Sequence, residues 1–278
     1  MLAEVSRDDR VYLISTSSLG RDHHVFLSAW DPVRRNWIFQ DRWVATAAVE
    51  EGGLRKMTVQ SAMSPDRGTL AIWCSTGWLV CVEAETGELT WARTGSAPPA
   101  PQVLRALRPV VEGSRLTVQV TDDAVWCADA SRRPLAVYDR RTGKVVWNIE
   151  QPEQTQWIGA QDGVGYVVGD RGLTAFDEAD GRERWRWSWP DGERQGGRAA
   201  LADGRVWIPS ARKIYAVNAE TGRLETSWNR PAPASGGAGG ADPHPTWGEI
   251  VVTPDPDLVV WMLVADRLEW FQRRALIK

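Results

Sequence analysis

Hydrophobic and polar positions alternate with a period of two over much of the chain, and the alternation is clearest at 134–147, PLAVYDRRTGKVVW. Leu135, Val137 and Asp139 fall on one side and Ala136 and Tyr138 on the other, which predicts a strand. Asp139 followed by Thr142 and Gly143 predicts a hairpin loop built on a type I turn. The carboxylate can accept from turn amides, and glycine supplies the positive φ that ends the turn. Lys144, Val145, Val146 and Trp147 then form the returning strand.

The frame recurs. Counted from an acidic or amide anchor, it places Thr at +3, Gly at +4 and an aromatic residue at +8. Glu83, Thr86, Gly87 and Trp91 fit it; so do Asp177, Asp180, Gly181 and Trp185, with Asp180 in place of Thr. Asn218, Thr221 and Gly222 fit in part, with the aromatic displaced to Trp228. Asp31 fits weakly, with Arg34 and Arg35 in place of Thr-Gly and Phe39 at +8. Successive anchors are separated by 52, 56, 38 and 41 residues, so equal modules are joined by loops of unequal length. A hairpin alone cannot bury its faces, and modules of about 40–45 residues with short strands are the unit of a β-propeller blade.

These motifs resemble the pyrroloquinoline-quinone-like propeller repeat family, whose consensus is roughly A-x-D-x-x-T-G-x-x-x-W. The resemblance covers residues 25 to 230 and implies an all-β propeller. The expected architecture is one domain over 1–278, with six blades of four antiparallel strands, or seven if 95–114 hides strands. The expected blades are about 1–43, 44–93, 94–150, 151–189, 190–229 and 244–278, with a low-complexity loop at 230–243. Ser17 to His24 is expected as a loop and Ala45 to Arg55 as a connector. The ring would close by edge packing, or by the N-terminal strand completing the last blade.

Composition narrows the partners. The net charge of −3 disfavours nucleic acid and anionic membrane, and no apolar run reaches the length of a membrane span. No signal peptide is visible at the first residues, which points to a cytoplasmic protein, or an extracytoplasmic one if the sequence is an excised domain. Cys74, Cys81 and Cys127 lie in apolar strand patterns and read as buried free thiols. Tryptophan is in excess, 17 of 278 residues, and large flat rings suit the wedge-shaped gaps between blades.

Candidate chemistry is sparse. The resemblance implies a quinone stacked on a disulfide of adjacent cysteines, but no two cysteines here are adjacent, so no quinone or other cofactor is expected. Paired Cys/His spacings, nucleophile elbows and phosphate-binding loops are absent. The three histidines are the one lead. His23 and His24, beside Asp22, precede the third strand, and His244, near Asp242, enters the last blade. Both groups are expected at the blade ends opposite the Thr-Gly turns, where ring closure could bring them together. His24 or His244 would then act as general base with Asp242, or His23, His24, His244 and Asp22 as metal ligands.

Two function classes follow. The first is a non-catalytic binding module, a monomeric scaffold or ligand sensor that takes a protein or small molecule on its loop face. The resemblance supports it through an outer-membrane assembly lipoprotein and the sensor regions of bacterial kinases, although no lipobox is visible. The second is a propeller enzyme (a lyase, hydrolase or cyclase) acting on an aromatic or cationic molecule in a Trp-lined pocket. A sugar-binding propeller is a third reading, but no polar triplet repeats from blade to blade.

Overall fold

The structure is a computed structural model that describes residues 2–5, 10–19, 22–48, 59–74, 78–94, 118–128, 135–149, 156–190, 192–210, 212–229, 247–252, 260–264 and 267–271. The described residues are all-β, arranged in six antiparallel sheets whose strands follow one another in chain order. The first sheet holds β1 (Leu2–Val5), β2 (Val11–Leu19), β3 (Asp22–Asp31) and β4 (Asn36–Ala48). The second holds β5 (Val59–Met63), β6 (Thr69–Cys74), β7 (Trp78–Glu83) and β8 (Leu89–Thr94). The third holds β9 (Val118–Val120), β10 (Ala124–Cys127), β11 (Leu135–Asp139) and β12 (Val145–Ile149). The fourth holds β13 (Gln156–Gln161), β14 (Val164–Gly169), β15 (Gly172–Asp177) and β16 (Glu183–Ser188). The fifth holds β17 (Ala200–Ala202), β18 (Arg205–Pro209), β19 (Lys213–Asn218) and β20 (Leu224–Asn229). The sixth has three strands: β21 (Trp247–Val252), β22 (Val260–Val264) and β23 (Arg267–Phe271).

The chain divides into two compact units, one of residues 1–101 and 117–150, the other of 102–116 and 151–278, so each contains three sheets. In the first unit β5 and β6 pack against β9; in the second β17 packs against β13 and β21. Within each unit, then, the first strand of one sheet packs against the first strand of the next.

Burial follows strand position. β14 is buried along its whole length and β6 and β7 nearly so, whereas the outer strands β12 and β20 are mostly exposed. The middle strands read as continuous apolar runs because both of their faces are covered. In β6 and β7, Leu70, Ile72, Val80 and Val82 face a core shared with the first sheet. Their neighbours Ala71, Trp73, Leu79 and Cys81 face a core shared with the third. A corresponding core joins the fourth and fifth sheets through Tyr166, Leu173, Val206 and Val217. Each fully buried aliphatic side chain contributes about 1.5–3 kcal/mol.

Two expected loops are strand instead. β2 and β3 stay paired from Val11↔Trp30 to Leu19↔Asp22, so His23 and His24 belong to β3 and not to a loop. β4 runs on to Ala48, and Ala45 to Ala48 pair with Val25 to Asp22, where a connector was expected. Ser and Thr do not mark a loop in this stretch, because a sheet end that reaches solvent accepts polar residues without losing its ladder. The N-terminal strand β1 pairs with β2. Residues 230–243 and 95–114 lie outside the described residues, and no described helix is long and apolar enough to cross a membrane.

Candidate functional site

Each sheet has two ends. The repeated hairpin sits at one, called here the turn end; the opposite end carries the β2–β3 type hairpins and the links between sheets. At the turn end the motif closes on itself. Asp139 Oδ1 accepts from Thr142 N at 2.7 Å and from its hydroxyl at 2.6 Å, and Gly143 N donates to Asp139 O at 2.8 Å. Asn218 repeats this with Thr221 at 2.9 and 3.0 Å and with Gly222 N at 2.9 Å. At Glu83 the longer side chain takes only the Thr86 hydroxyl, at 2.7 Å. Asp177 accepts from Ala179 N at 2.9 Å and pairs with Arg184 at 2.7 Å, and Gly181 N donates to its carbonyl at 2.9 Å. The glycines lie at φ +71 (Gly87), +64 (Gly143), +72 (Gly181) and +70 (Gly222). Hydrogen bonds from Thr142 hold the Asp139 carboxyl below the usual range, and the Ala179 amide and Arg184 do the same for Asp177.

The residue at +8 is placed by a bulge that occurs in every copy. Val137 pairs with Trp147, Ala175 with Trp185, Cys81 with Trp91, Ala216 with Thr226 and Ala29 with Phe39, and a register shift follows each pair. The residue at +7 is left unpaired, and the +8 rings of Phe39, Trp91 and Trp185 lie over the following sheet. The partner at −2 is small or β-branched and fully buried in all five copies, and so leaves room for the ring.

The turn glycine receives that ring from the preceding sheet. A Cβ on Gly143 would stand 2.5 Å from Trp91 Cδ2, one on Gly222 2.6 Å from Trp185 Cδ2, and one on Gly87 2.7 Å from Phe39 Cε2. The same indoles reach the backbone after the anchor: Trp91 Nε1 donates to Arg140 O at 2.7 Å and Trp185 Nε1 to Ala219 O at 3.1 Å. Phe39 has no donor, and Tyr12 supplies the bond instead, its hydroxyl donating to Ala84 O at 2.9 Å. Arg140 also forms a bidentate pair with Asp66 at 2.8 and 3.0 Å, which holds the Asp66 carboxyl far below the usual range. Trp147 meets Trp126 edge-on within its own sheet, at 5.2 Å between centroids.

The opposite end is built differently. In the second unit the segment 189–199 links β16 to β17 and is fastened at several points. Trp189 Nε1 donates to Gly169 O at 2.8 Å, Gly196 N to Pro209 O at 2.9 Å, and Gln195 Nε2 to Gly197 O at 2.9 Å and to Gln156 Oε1. Ala199 N donates to the same Gln156 oxygen at 3.2 Å. Beneath the segment, Trp187, Trp189 and Tyr215 form a triangle of rings with centroids 5.1, 5.2 and 5.9 Å apart. Ser210, fully buried, bonds its own turn through Lys213 O at 3.1 Å. Burial pushes the Tyr215 hydroxyl up, the charge of Glu193 adds to the rise, and a hydrogen bond with Ser210 opposes it. Glu193 Oε2 is buried and has no hydrogen-bond partner among the described residues.

The expected histidine site is only partly in view. His24 Nδ1 lies 2.8 Å from Thr46 Oγ1, which also accepts from Trp43 Nε1 at 3.0 Å. Asp22 is exposed at the start of β3. The His23 side chain, His244 and Asp242 lie outside the described residues. No group of three or more His, Cys, Asp or Glu among the described residues could hold a metal ion. The described cysteines are free thiols, with Cys74 and Cys81 buried and burial pushing Cys81 up. Glu193, Gln195, Gln156, Ser210 and Tyr215 were not anticipated. The only sequence signal near them is the alternation of Trp185, Trp187 and Trp189 running into the Gly-rich stretch that follows.

Antiparallel sheets in chain order, three of which carry an aromatic ring over a turn glycine of the following sheet, define a β-propeller built from hairpin-anchored blades. The chain belongs to the pyrroloquinoline-quinone-like propeller family: the family model described as outer membrane protein assembly factor BamB matches residues 40–171, 130–241 and 169–266. Among solved structures it is similar to BamB from Moraxella catarrhalis, at 13% identity and TM-score 0.52, over 99% of this chain and 77% of that one. It is also similar to the computationally designed Ika8 protein, at 12% identity and TM-score 0.56, over 93% of this chain and 70% of that one. At such identities the likeness concerns the fold alone. No curated protein matches the chain.

Proposed function

We propose that the chain is a protein-binding scaffold that receives its partner at the ends of the blades opposite the repeated turns. The family description, an assembly factor, supports an interaction role. The observation that carries the choice of face is the contrast between the two ends. At the turn end the side chains of the motif are occupied by their own hairpin, and the glycines by the neighbouring ring. At the other end, segment 189–199 is pinned by hydrogen bonds while it keeps aromatic and polar side chains that no motif requires. A pinned loop with such side chains can bind at low entropic cost.

Photo-cross-linking tests this. A benzophenone amino acid is placed at the exposed residues Arg194 or Arg212, and for comparison at Arg182 or Glu220 on the turn end of the same unit. Discrete adducts in source cells from the first pair alone are expected. Adducts confined to the second pair, or absent from all four, refute the assignment.

A further inference from the structure

β4 is the last strand of its sheet, paired with β3 on one side and with no described strand on the other. It runs for 13 residues, whereas β8, β12, β16 and β20, which hold the same place in their sheets, run for 5 or 6. A long free edge is a template for another strand, and apolar surface collected on one side of a protein marks an interface. Of the eight large apolar side chains left exposed among the described residues, four belong here: Val33 in the turn before β4, and Trp37, Ile38 and Trp43 on it. Trp43 is 60% exposed and is tied in place, its Nε1 donating to Thr46 Oγ1 at 3.0 Å.

What covers this edge can be read from its residue order, which is self-complementary. The only charged residues of β4 are Asp41 and Arg42, adjacent at its middle. Neither has an ion-pair partner among the described residues; the Arg42 guanidinium lies over the Phe39 ring at 5.3 Å. Extra residues bulge from β4 at three points along β3, one of them at this centre, where Asp41 has a φ of +49 and its N donates to Ser28 Oγ at 2.9 Å. The bulging lets Phe39 and Val44, five positions apart, both enter the core shared with the second sheet. Exposed and buried positions therefore follow in the same order in both directions from the Asp41–Arg42 bond: two exposed residues, then a buried one. In an antiparallel pair of β4 strands with the two-fold axis at that bond, Asp41 meets Arg42 of the second copy at two places. Phe39 then stands opposite Val44, and the exposed Gln40 and Trp37 opposite the exposed Trp43 and Thr46. A slip of one residue either way sets Asp41 against Asp41 or Arg42 against Arg42, and a buried position against an exposed or half-buried one. We propose that β4 is the interface of a homodimer, closed by a second copy of this chain in this register. The proposal does not depend on the docking face argued above, since that face lies at the ends of the sheets and this one along an edge.

Sedimentation equilibrium of the full chain tests it, with circular dichroism to confirm that each variant folds. Wild type is expected to be a dimer in equilibrium with monomer. Arg42→Glu opposes like charges at both crossings, and Asp41→Lys does the same with the other sign, so each alone should weaken self-association about tenfold or more. An equimolar mixture of the two variants should associate again to within about tenfold of wild type, because opposite charges then meet at both crossings. Trp43→Lys should weaken association about tenfold or more while leaving the melting temperature unchanged, since the indole lies outside the core. A wild-type chain that stays monomeric overturns the proposal, whatever other protein covers the edge. A dimer that survives Arg42→Glu or Trp43→Lys lies elsewhere on the surface and overturns it too. So does a mixture of folded Asp41→Lys and Arg42→Glu chains that fails to associate. Where Asp41→Lys does not fold, Arg42→Glu and Trp43→Lys decide, and unchanged association in either is the refuting result.

Discussion

Gly222 and Gly204 lie in the same sheet, both with left-handed backbone, at φ +70 and +69. They differ in what lies above them. A Cβ on Gly204 meets nothing within 4 Å, whereas one on Gly222 comes within 2.6 Å of Trp185 Cδ2 and Cε3. Carbon atoms pack best at roughly 3.5–4.0 Å, so the overlap at Gly222 is about 1 Å. Alanine in the left-handed region costs about 1–2 kcal/mol at either site, partly offset by a less flexible unfolded chain. At Gly222 the ring must also move, which adds about 1–3 kcal/mol of overpacking and strains the Trp185 Nε1 bond to Ala219 O. Gly222→Ala should therefore lose roughly 2–4 kcal/mol and Gly204→Ala about 1 kcal/mol. Urea denaturation followed by tryptophan emission and circular dichroism measures both. In a double-mutant cycle with Trp185→Leu, Gly222→Ala should retain only its backbone cost, leaving a coupling of about 1–3 kcal/mol. Two glycine variants within about 0.5 kcal/mol of each other, or a coupling near zero, would refute the docking of ring on turn.

Tyr12→Phe should cost about 1–2 kcal/mol because Ala84 O loses its donor, while Tyr166→Phe should cost about half as much because Trp185 still serves Ala219 O; equal losses in urea titrations contradict this. Asp66→Asn should flatten the acid limb of the stability curve. With its folded carboxyl held below the usual range by Arg140, Ser64 and the Gly68 amide, Asp66 stabilises the fold above about pH 4 and loses that contribution as pH falls further, so parallel curves for wild type and variant between about pH 2 and 4 would be the contrary result. Because Asp66 is half exposed, the effect at pH 7 should stay near 1 kcal/mol or less. In the native protein a thiol reagent should label the partly buried Cys127 before Cys74 and Cys81, which mass spectrometry of the labelled peptides reads directly.

Much of the architecture could be read from residue order. The anchors at Glu83, Asp139, Asp177 and Asn218, with glycine four residues on, mark hairpins that the structure contains at those positions. The glycine was understood only as the holder of a positive φ. That it must also be bare to admit a ring from the preceding sheet follows from packing, since Trp91 and Gly143 are far apart along the chain. The bulge at +7 is equally hidden in the sequence, because alternation alone would turn Trp91 away from the face it covers. At the first sheet the polar run containing His23 and His24 looked like a loop, and only pairing with β2 and β4 makes it strand.

Local order thus determined what local energetics control: where strands alternate, where the backbone must turn left-handed, and that hairpins of this size need neighbours. What it could not express is which side chains meet across sheets. Glu193 stands in a Gly- and Arg-rich stretch that reads as an ordinary solvated link, yet its Oε2 is buried, and Gln156 and Pro209, distant in sequence, bond residues of that link. Burial of a polar atom is a property of the assembled surroundings, so the tertiary structure alone decided that Glu193 has a buried oxygen without a donor among the described residues.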